Sequence, residues 1–327
     1  MNKNKKKKKW IKAVLIITTF LFIGIGAYIY NFVQHVVSAV DHMNNPISRE
    51  TSDKREEKIE FQSKDPISIL LVGVDERDGD AGRTDSMLVM TVNPEKNSTK
   101  IVSIPRDLRT ELVYSKDPSK NTVNKINHAY TYGGIEMSIE SVEHFLNIPI
   151  DYYVEINMEG FKDIVDAVGG IEVYNKYAFE LDGITLSEGQ HHLNGEEALQ
   201  YARMRKQDPL GDFGRQERQR EVISKIIDKG KSFSTLTNYG NILDTLEKNV
   251  KTNFTLNELV GMQTNYMPAA KTIERIEIKG ENQKVDFGEG LIWYYLVEDQ
   301  TRQNLSNVLR EHLNLDSETI ASSDSSS

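Results

Sequence analysis

The chain has no cysteine among its 327 residues. A fold held together by disulfides is therefore excluded, as are thiol catalysis and metal sites built from thiolates. Three common catalytic motifs are also missing: a phosphate-binding loop ending in Gly-Lys-Ser/Thr, a Gly-x-Ser-x-Gly elbow and a His-Glu-x-x-His helix. A domain of about 250 residues can nevertheless bury a full core without covalent cross-links.

Basic residues are scarce outside the first dozen positions. Seven lysines lie between Met1 and Lys12, with no acidic residue among them. Removing these seven from the 40 basic residues leaves 33 against 49 acidic residues, a balance of −16 for the remaining chain. So acidic a surface argues against non-specific binding to nucleic acid. A local basic cluster in this part of the chain would therefore indicate an anionic ligand.

One long apolar run follows the lysines. From Ala13 to Gln34 the chain has 22 residues without a charge, enough for a helix to cross about 30 Å of hydrocarbon. A lysine block holds its flank in the cytoplasm. A cleaved signal peptide, cut near Val37-Ser38-Ala39, is the alternative, but its apolar region would be only about 7–15 residues long.

We therefore expect a single-pass type II protein of the cell membrane. Residues 1–12 are predicted to be a cytoplasmic tail and residues 13–34 a transmembrane signal anchor. Residues 35–64, rich in charge and poor in apolar periodicity, are predicted to be an extracellular stem.

The remaining chain mixes strand and helix patterns irregularly, without a repeat. Ile67–Val74 is a short apolar run that predicts a buried strand, and residues 160–168 have the apolar spacing of an amphipathic helix. A pair of strands is expected from residues 272–278 and 291–297. We predict one α/β domain over residues 65–314, with a mixed central sheet flanked by helices, and a disordered tail over residues 315–327.

Two aspartates flank a loop between predicted strands. Asp75 ends one strand and Asp85 begins the next. Carboxylate oxygens of this kind suit Mg²⁺, which typically takes one or two carboxylates together with phosphate oxygens and water. An exposed Asp/Gly turn is the alternative. A calcium loop of the EF-hand type is excluded, because the twelfth position counted from Asp78 is Val89 rather than glutamate.

One stretch of 18 residues in this acidic domain contains five arginines, at positions 203, 205, 215, 218 and 220. Arg215 and Arg218 are three apart in the first turn of a predicted helix and are expected to share a face. Cations there oppose the helix dipole, which indicates that an anion binds nearby. Helix amide groups and arginine forks together form phosphate sites. A solvated helix with pairs to Glu217 and Glu221 is the alternative.

Six motifs from about Pro66 to Gly230 resemble, in their order and spacing, the LytR-CpsA-Psr family. The motifs are Asp75 with Gly82-Arg83-Thr84-Asp85, Ile104-Pro105-Arg106-Asp107, Lys125-Ile126-Asn127-His128-Ala129-Tyr130 with Gly133-Gly134, Gly160-Phe161 through Gly169-Gly170, Leu193-Asn194-Gly195 through Tyr201-Ala202-Arg203, and Gly211-Asp212-Phe213-Gly214-Arg215-Gln216 with Arg218-Gln219. His128 departs from the pattern, where a small residue is expected.

The resemblance implies a phosphotransferase of a Gram-positive-type bacterium. Such an enzyme moves an anionic glycopolymer, for example wall teichoic acid, from an undecaprenyl pyrophosphate carrier to the C6 hydroxyl of N-acetylmuramic acid in peptidoglycan. The resemblance also implies Mg²⁺, with Mn²⁺ as the alternative metal, and an apolar tunnel for the lipid. Catalysis of this type consists largely of positioning and of charge stabilisation by metal and arginines.

The site residues implied by the resemblance follow from matching positions. Asp75 and Asp85 are expected to bind the metal, and Asp85 also to act as the base. The catalytic residues are expected to be Asp85, Arg83 and Arg106, and the residues that bind the pyrophosphate Arg203, Arg205, Arg215, Gln216 and Arg218. Two other functions stay open: a non-catalytic module that binds polyprenyl phosphate, and a membrane-bound regulator or attenuator. A cytoplasmic part of only a dozen residues argues against the regulator.

Overall fold

The computed structural model describes residues 27–75, 83–230, 239–286 and 290–320. The strands in these ranges are β1 (Ile67–Asp75), β2 (Arg83–Asn93), β3 (Ser98–Ile104), β4 (Arg109–Leu112), β5 (Thr122–Lys125), β6 (Tyr152–Asn157), β7 (Ile171–Asn175), β8 (Phe179–Leu181), β9 (Ile184–Leu186), β10 (Gly189–Leu193), β11 (Val250–Thr252), β12 (Thr272–Glu277), β13 (Glu281–Asp286) and β14 (Leu291–Leu296). The helices are α1 (residues 27–43, from the first described residue), α2 (His128–Leu146), α3 (Met158–Ala167), α4 (Gly195–Arg203), α5 (Asp212–Gly230), α6 (Tyr239–Asn249), α7 (Leu256–Gly261) and α8 (Asp299–His312).

A mixed sheet forms the centre of the domain, with the strand order β11-β6-β1-β2-β3-β12. Strand β1 pairs antiparallel with β2 and parallel with β6, and β12 pairs parallel with β3. The strands β1, β3, β6 and β12 therefore all end at the same edge of the sheet, where β2 begins. The predicted α/β domain with a mixed sheet flanked by helices is confirmed.

Both faces of the sheet are covered. Leu70 and Val72 of β1 lie in one core cluster with residues of α2 and α8, while Ile67 and Ile69 lie in a second cluster on the other face. A strand buried on both sides has apolar residues at successive positions, which explains the continuous run in the sequence. On the second face Tyr152 stacks on Phe254 with their ring centroids 4.0 Å apart.

Helix α2 is kinked where its sequence has two adjacent glycines. Gly133 and Gly134 leave the helical conformation, and Gly134 has a φ of 68°. Only glycine adopts this left-handed region without strain. Beyond the kink, α2 packs its apolar face, including Phe145 and Leu146, on the sheet.

The predicted pairing of residues 272–278 with residues 291–297 is wrong. Strand β12 pairs with β3 and becomes an edge of the central sheet, while β14 pairs with β13 in a separate hairpin. The sequence of β13, Glu281–Asp286, shows no apolar alternation because nearly all of this strand is exposed. Hydrophobic periodicity, which detects half-buried strands, therefore could not reveal it.

The segment predicted to be a stem packs against the domain over much of its length. Arg55 donates to both carboxylate oxygens of Asp151, at 2.9 and 3.0 Å. Arg49 and Ser52 donate to the same oxygen of Glu143, each at 2.6 Å. Apolar residues attach the segment as well, since Val40 and Met43 of α1 are buried in a cluster with Val250. The charged stretch from residue 49 to residue 58, by contrast, shows no apolar periodicity by which a packed element is recognised in a sequence.

Both ends of the chain extend beyond the described residues. The predicted tail, residues 1–12, and residues 13–26 of the predicted anchor lie outside them. Across the described ranges, no helix has both the length and the apolar character needed to cross a membrane. Residues 315–320 of the tail predicted to be disordered contact α8, where the Arg310 guanidinium lies 2.7 Å from the Glu318 carboxylate. Residues 321–327 lie outside the described part.

A buried histidine at the end of α8 makes the stability depend on pH. His312 is only 3% exposed. Its Nδ1 lies 2.7 Å from the Thr91 hydroxyl and its Nε2 lies 2.8 Å from the Ser98 hydroxyl. Burial, together with the nearby Lys100 and Lys96 charges, lowers the pKa of His312 to about 4. The ordinary histidine pKa is about 6.5.

We expect His312→Gln to reduce the loss of stability on acidification. Between pH 6.5 and 4 the unfolded chain binds a proton at residue 312 that the folded chain does not, so the stability falls as the pH falls. Glutamine does not titrate. Urea unfolding at pH 7 and pH 4.5 should therefore show a loss smaller by about 2 kcal/mol in the variant. Equal losses of unfolding free energy in the wild type and the variant would contradict the lowered pKa of His312.

Candidate active site

A cavity of about 410 Å³ lies between the central sheet and the helices α3, α4 and α5. Its floor includes Leu71 of β1 and Leu88 of β2, and its roof includes Phe161 of α3 and Ile223 of α5. Further apolar residues complete the wall, namely Val72, Val74, Ile156, Met158, Leu181, Leu199, Ala202 and Met204. A largely apolar cleft of this kind suits a flexible hydrocarbon chain.

The edge of the sheet where β1 ends also positions the two predicted metal ligands. Asp75 is the last residue of β1, and its backbone is paired with that of Arg83. The register shifts between Gly73 and Val74, so that Asp85 is the extra residue of β2 opposite this step. Such bulges occur beside active sites, where they re-aim a side chain. Ligands of open α/β sheets bind beyond the carboxyl ends of the strands.

The side chains of Asp75, Arg83 and Asp85 lie outside the described part of the structure. Their assignment to metal binding and catalysis therefore stays a prediction. The backbone nevertheless brings two carboxylate-bearing residues to neighbouring strands at the same edge, which is the donor chemistry that Mg²⁺ takes up in proteins.

Cationic side chains form the rim of the cavity. Arg203, Arg205 and Lys206 lie at the end of α4, and Arg215 lies in the first turn of α5; all four line the cavity. Helix α4 begins at a capping box made by Asn194 and Glu197. It ends at Arg203, because Met204 takes an extended conformation. The predicted residues Arg203, Arg205 and Arg215 are thus brought together.

Two rim arginines are held by carboxylates. The Arg203 Nη1 donates to Asp182 at 3.0 Å, and the Arg215 Nη2 lies 2.6 Å from the Asp212 carboxylate. Arg203 is partly exposed, so the pair with Asp182 is screened by water and contributes little to stability. Both carboxylates thus orient guanidinium groups that line the cavity.

Arg218, which is predicted to bind the pyrophosphate, lies away from the first cavity. Its buried guanidinium donates from Nε to the Tyr201 carbonyl at 2.8 Å and from the other two nitrogens to Asp208 and the Met204 carbonyl. Arg218 therefore joins α4 to α5 and is not among the residues that line the cavity. The i, i+3 spacing that predicted a face shared with Arg215 leaves the two side chains about 60° apart around the helix. That rotation is enough to turn one to the cavity and the other to the corner between the helices.

Gly214 permits this corner. A Cβ atom at position 214 would overlap the carboxylate of Asp208, the partner of Arg218. At the same corner the Tyr201 hydroxyl donates to Glu221 at 2.8 Å. Burial and the Glu221 charge raise the pKa of Tyr201, so its phenol stays protonated.

Gln219, which belongs to the sixth motif but was not among the predicted binding residues, lines the cavity, whereas the predicted Gln216 does not. The Gln216 amide donates to Asp212 at 3.0 Å. Gln219 lies one turn after Arg215, and side chains at i and i+4 share a helix face. The spacing from Arg215 was therefore the signal that could have identified it.

Arg106 follows the end of β3, at the same sheet edge as Asp75. Its side chain is partly buried, and its Nε lies 3.8 Å from the Asp107 carboxylate. The backbone carbonyl of Arg106 accepts a hydrogen bond from the backbone N–H of Asn127 at 3.4 Å. Arg106 is not among the residues that line the described cavity, and its catalytic role stays a prediction.

Comparison with known proteins identifies a family that this chain matches over most of its length. The model of the LytR_cpsA_psr family matches residues 30–311. A Bacillus anthracis protein named polyisoprenyl-teichoic acid–peptidoglycan teichoic acid transferase TagU is 50% identical over 308 residues, which cover 94% of this chain and 98% of that protein.

Solved structures of other proteins are also similar to this chain in fold and sequence. One from Enterococcus faecalis, described as the transcriptional regulator EF0465, has a TM-score of 0.71 and 41% identity, covering 80% of this chain and 92% of that one. A structure of TagT bound to LIIa-WTA has a TM-score of 0.69 and 31% identity, covering 83% of this chain and all of that one (100%).

Proposed function

This chain belongs to the LytR_cpsA_psr family, and from that premise we propose that it transfers an anionic glycopolymer to peptidoglycan during assembly of the cell wall. The polymer is delivered on a polyprenyl pyrophosphate carrier, and wall teichoic acid is the polymer that the name of the TagU relative favours. The observation that carries the proposal is the apolar cavity with its rim of arginines.

The two parts of the carrier match the two parts of the cavity. A polyprenyl chain against the apolar wall gains about 0.8 kcal/mol for each buried CH₂ group. The pyrophosphate at the rim would accept from Arg203, Arg205 and Arg215, and guanidinium forks bind phosphate oxygens in pairs. An acidic exterior elsewhere on the chain leaves this rim as a distinct site for an anion.

The residues present fit Mg²⁺ where β1 ends and β2 begins. Asp75 and Asp85 would hold it, and the bound metal supplies positive charge next to the pyrophosphate. Asp85 accepts the proton of the acceptor hydroxyl. The oxygen of that hydroxyl then attacks the phosphorus nearer the polymer, and the bond to the carrier phosphate breaks. Polyprenyl phosphate leaves with its charge balanced by the rim arginines.

A membrane location follows from the same proposal. We propose that residues 13–34 anchor the chain in the cell membrane, with the domain outside the cell. The lysine block before this run supports that orientation. The start of α1 exposes large apolar side chains, including Tyr30 at 65%, and tyrosine is frequent where a helix leaves the hydrocarbon.

The proposal is tested by identifying the lipid that the protein retains. We expect mass spectrometry of extracts from the full-length protein, purified in detergent, to show a polyprenyl phosphate or pyrophosphate. The same protein should join a lipid-linked glycopolymer to peptidoglycan. Absence of both lipid and product would contradict the proposal, and lipid without product would favour a non-catalytic binding module.

A further inference from the structure

A second cavity lies on the other side of α5. It has a volume of about 630 Å³ and is bounded by α5, the edge strand β12 and strand β14. The residues of its wall that matter here are Phe213, Arg220, Arg275, Glu277, Lys279 and Tyr295. The metal, the carrier lipid and the pyrophosphate are all assigned to the first cavity and its edge, so nothing yet accounts for this one.

Arg220 forms the buried part of this second cavity. It is 6% exposed, and within the described residues neither its Nε nor its Nη1 has a hydrogen-bond partner. Burial lowers the pKa of Arg220, although a guanidinium keeps its proton at neutral pH. A buried charged donor without an acceptor is costly. Such a group is retained where a ligand supplies the missing acceptor.

The charges around Arg220 favour an anion. Arg275 and Lys279 lie at the exposed rim, and the Arg275 Nε is oriented by the Ser224 hydroxyl at 3.1 Å. Two carboxylates also line the cavity. One of them, Glu217, lies 2.9 Å from the Lys176 ammonium, which leaves Glu277 as the main negative charge beside three cations. The cavity therefore has an excess of positive charge.

The volume of the second cavity and its aromatic walls restrict the kind of anion that it can bind. The cavity is too large for an isolated carboxylate or phosphate. Phe213 and Tyr295 provide aromatic surface, with their ring centroids 5.8 Å apart. A phosphate flanked by sugar or polyol carbons satisfies both the cationic base and these walls.

The position of the cavity points to the same occupant. Strands β1, β3 and β12 end on the same side of the sheet. Residues at two of these strand ends line the cavities, Val74 of β1 the first and Glu277 of β12 the second. Arg215 of the first cavity and Arg220 of the second are five residues apart, roughly 7.5 Å along the helix axis and about 140° around it. A polymer chain whose end is held at Arg215 reaches the second cavity within a few repeat units.

We propose that this second cavity binds a phosphodiester of the glycopolymer that is being transferred. Arg220 donates hydrogen bonds to the phosphate from the base of the cavity, and Arg275 and Lys279 contact it from the rim. This inference rests on the proposed function, because it takes its ligand from the donor substrate. The cavity then selects donors that carry phosphate in their repeat units.

Binding of a short poly(glycerol phosphate) oligomer to the full-length protein in detergent tests the site without any turnover. We expect Arg220→Gln to weaken this binding at least tenfold in calorimetry. Arg220→Lys should keep part of it, and both variants should keep the wild-type melting temperature. Equal affinity of wild type and Arg220→Gln would overturn the proposal. Oligomer binding that depends on Arg220 in a protein that transfers nothing would refute the proposed function but leave the site standing.

Transfer kinetics distinguish the sources of the anion. With a donor that carries several phosphodiester repeats, Arg220→Gln should raise KM about tenfold, and with a donor whose glycan has no phosphate in its repeats KM should not change. Equal effects on both donors would overturn the proposal. A change confined to the KM for peptidoglycan would also overturn the proposal, because it would assign the cavity to an acidic group of the acceptor. Binding of inorganic phosphate as tightly as the oligomer would overturn it as well.

Discussion

Asp85→Ala is expected to reduce glycopolymer transfer about a thousandfold while the protein still binds the lipid pyrophosphate. In the proposed mechanism this one side chain both holds the metal and accepts the proton of the acceptor hydroxyl. Loss of a group that acts on the transition state costs about 10²–10³ in kcat, and loss of the metal adds to it. Binding should survive, because most of it comes from the apolar wall and the arginines.

Turnover is measured with a lipid-linked donor and peptidoglycan, and binding by the lipid that the variant retains. Asp85→Asn tests the charge alone, since asparagine has nearly the same size. The matched control is Glu188→Ala, which removes an exposed carboxylate between β9 and β10 and should turn over like the wild type. Undiminished transfer by Asp85→Ala would refute the enzyme assignment.

Leu71→Trp is expected to weaken binding of the polyprenyl carrier about fiftyfold. Leu71 is half-buried and lies on the floor of the first cavity, where the larger indole ring can occupy space that the lipid needs. Displacing three methylene groups costs about 2.4 kcal/mol, at about 0.8 kcal/mol for each. The fold should tolerate the change, because the ring enters an existing cavity rather than a packed core.

The measurement is a titration of the purified protein with a polyprenyl pyrophosphate, together with thermal unfolding. Val308→Trp on the exposed side of α8 is the control for the added ring. Retained affinity in a folded Leu71→Trp protein would show that the lipid lies elsewhere. A fall in affinity that accompanies a large fall in the melting temperature of both variants would argue for general damage instead.

The parts of the fold that were predictable are those in which burial imposes a recognisable pattern of apolar residues on the sequence. Strand β1 is buried on both faces and reads as an unbroken apolar run, and α3 shows one apolar stripe closed by Gly169-Gly170. The charged part of the segment before β1 was not predictable in the same way, since the pair of Arg55 with Asp151 attaches it by charge. Charged residues occur at exposed and packed positions alike, so their pattern does not reveal which partner they find.

The arginine cluster shows the same limit at the site. Its composition predicted an anion site, and the structure brings Arg203, Arg205 and Arg215 to one cavity. Composition could not show that Arg218 turns to the α4–α5 corner, because that depends on the rotation of α5 about its axis. Nor could it show that Arg220 faces a different cavity, because the opposite wall, β12, lies more than fifty residues further along the chain.

The corner formed by Asp208, Gly214 and Arg218 has a consequence for substrate recognition. Because Arg218 donates to the carbonyl groups of Tyr201 and Met204, the backbone that carries Arg203 and Arg205 is held in place without a ligand. A preorganised backbone loses little conformational entropy when the ligand docks. Polymer preference should therefore evolve, or be engineered, at the exposed side chains around this corner, whereas changes to the corner itself would degrade recognition of every donor alike.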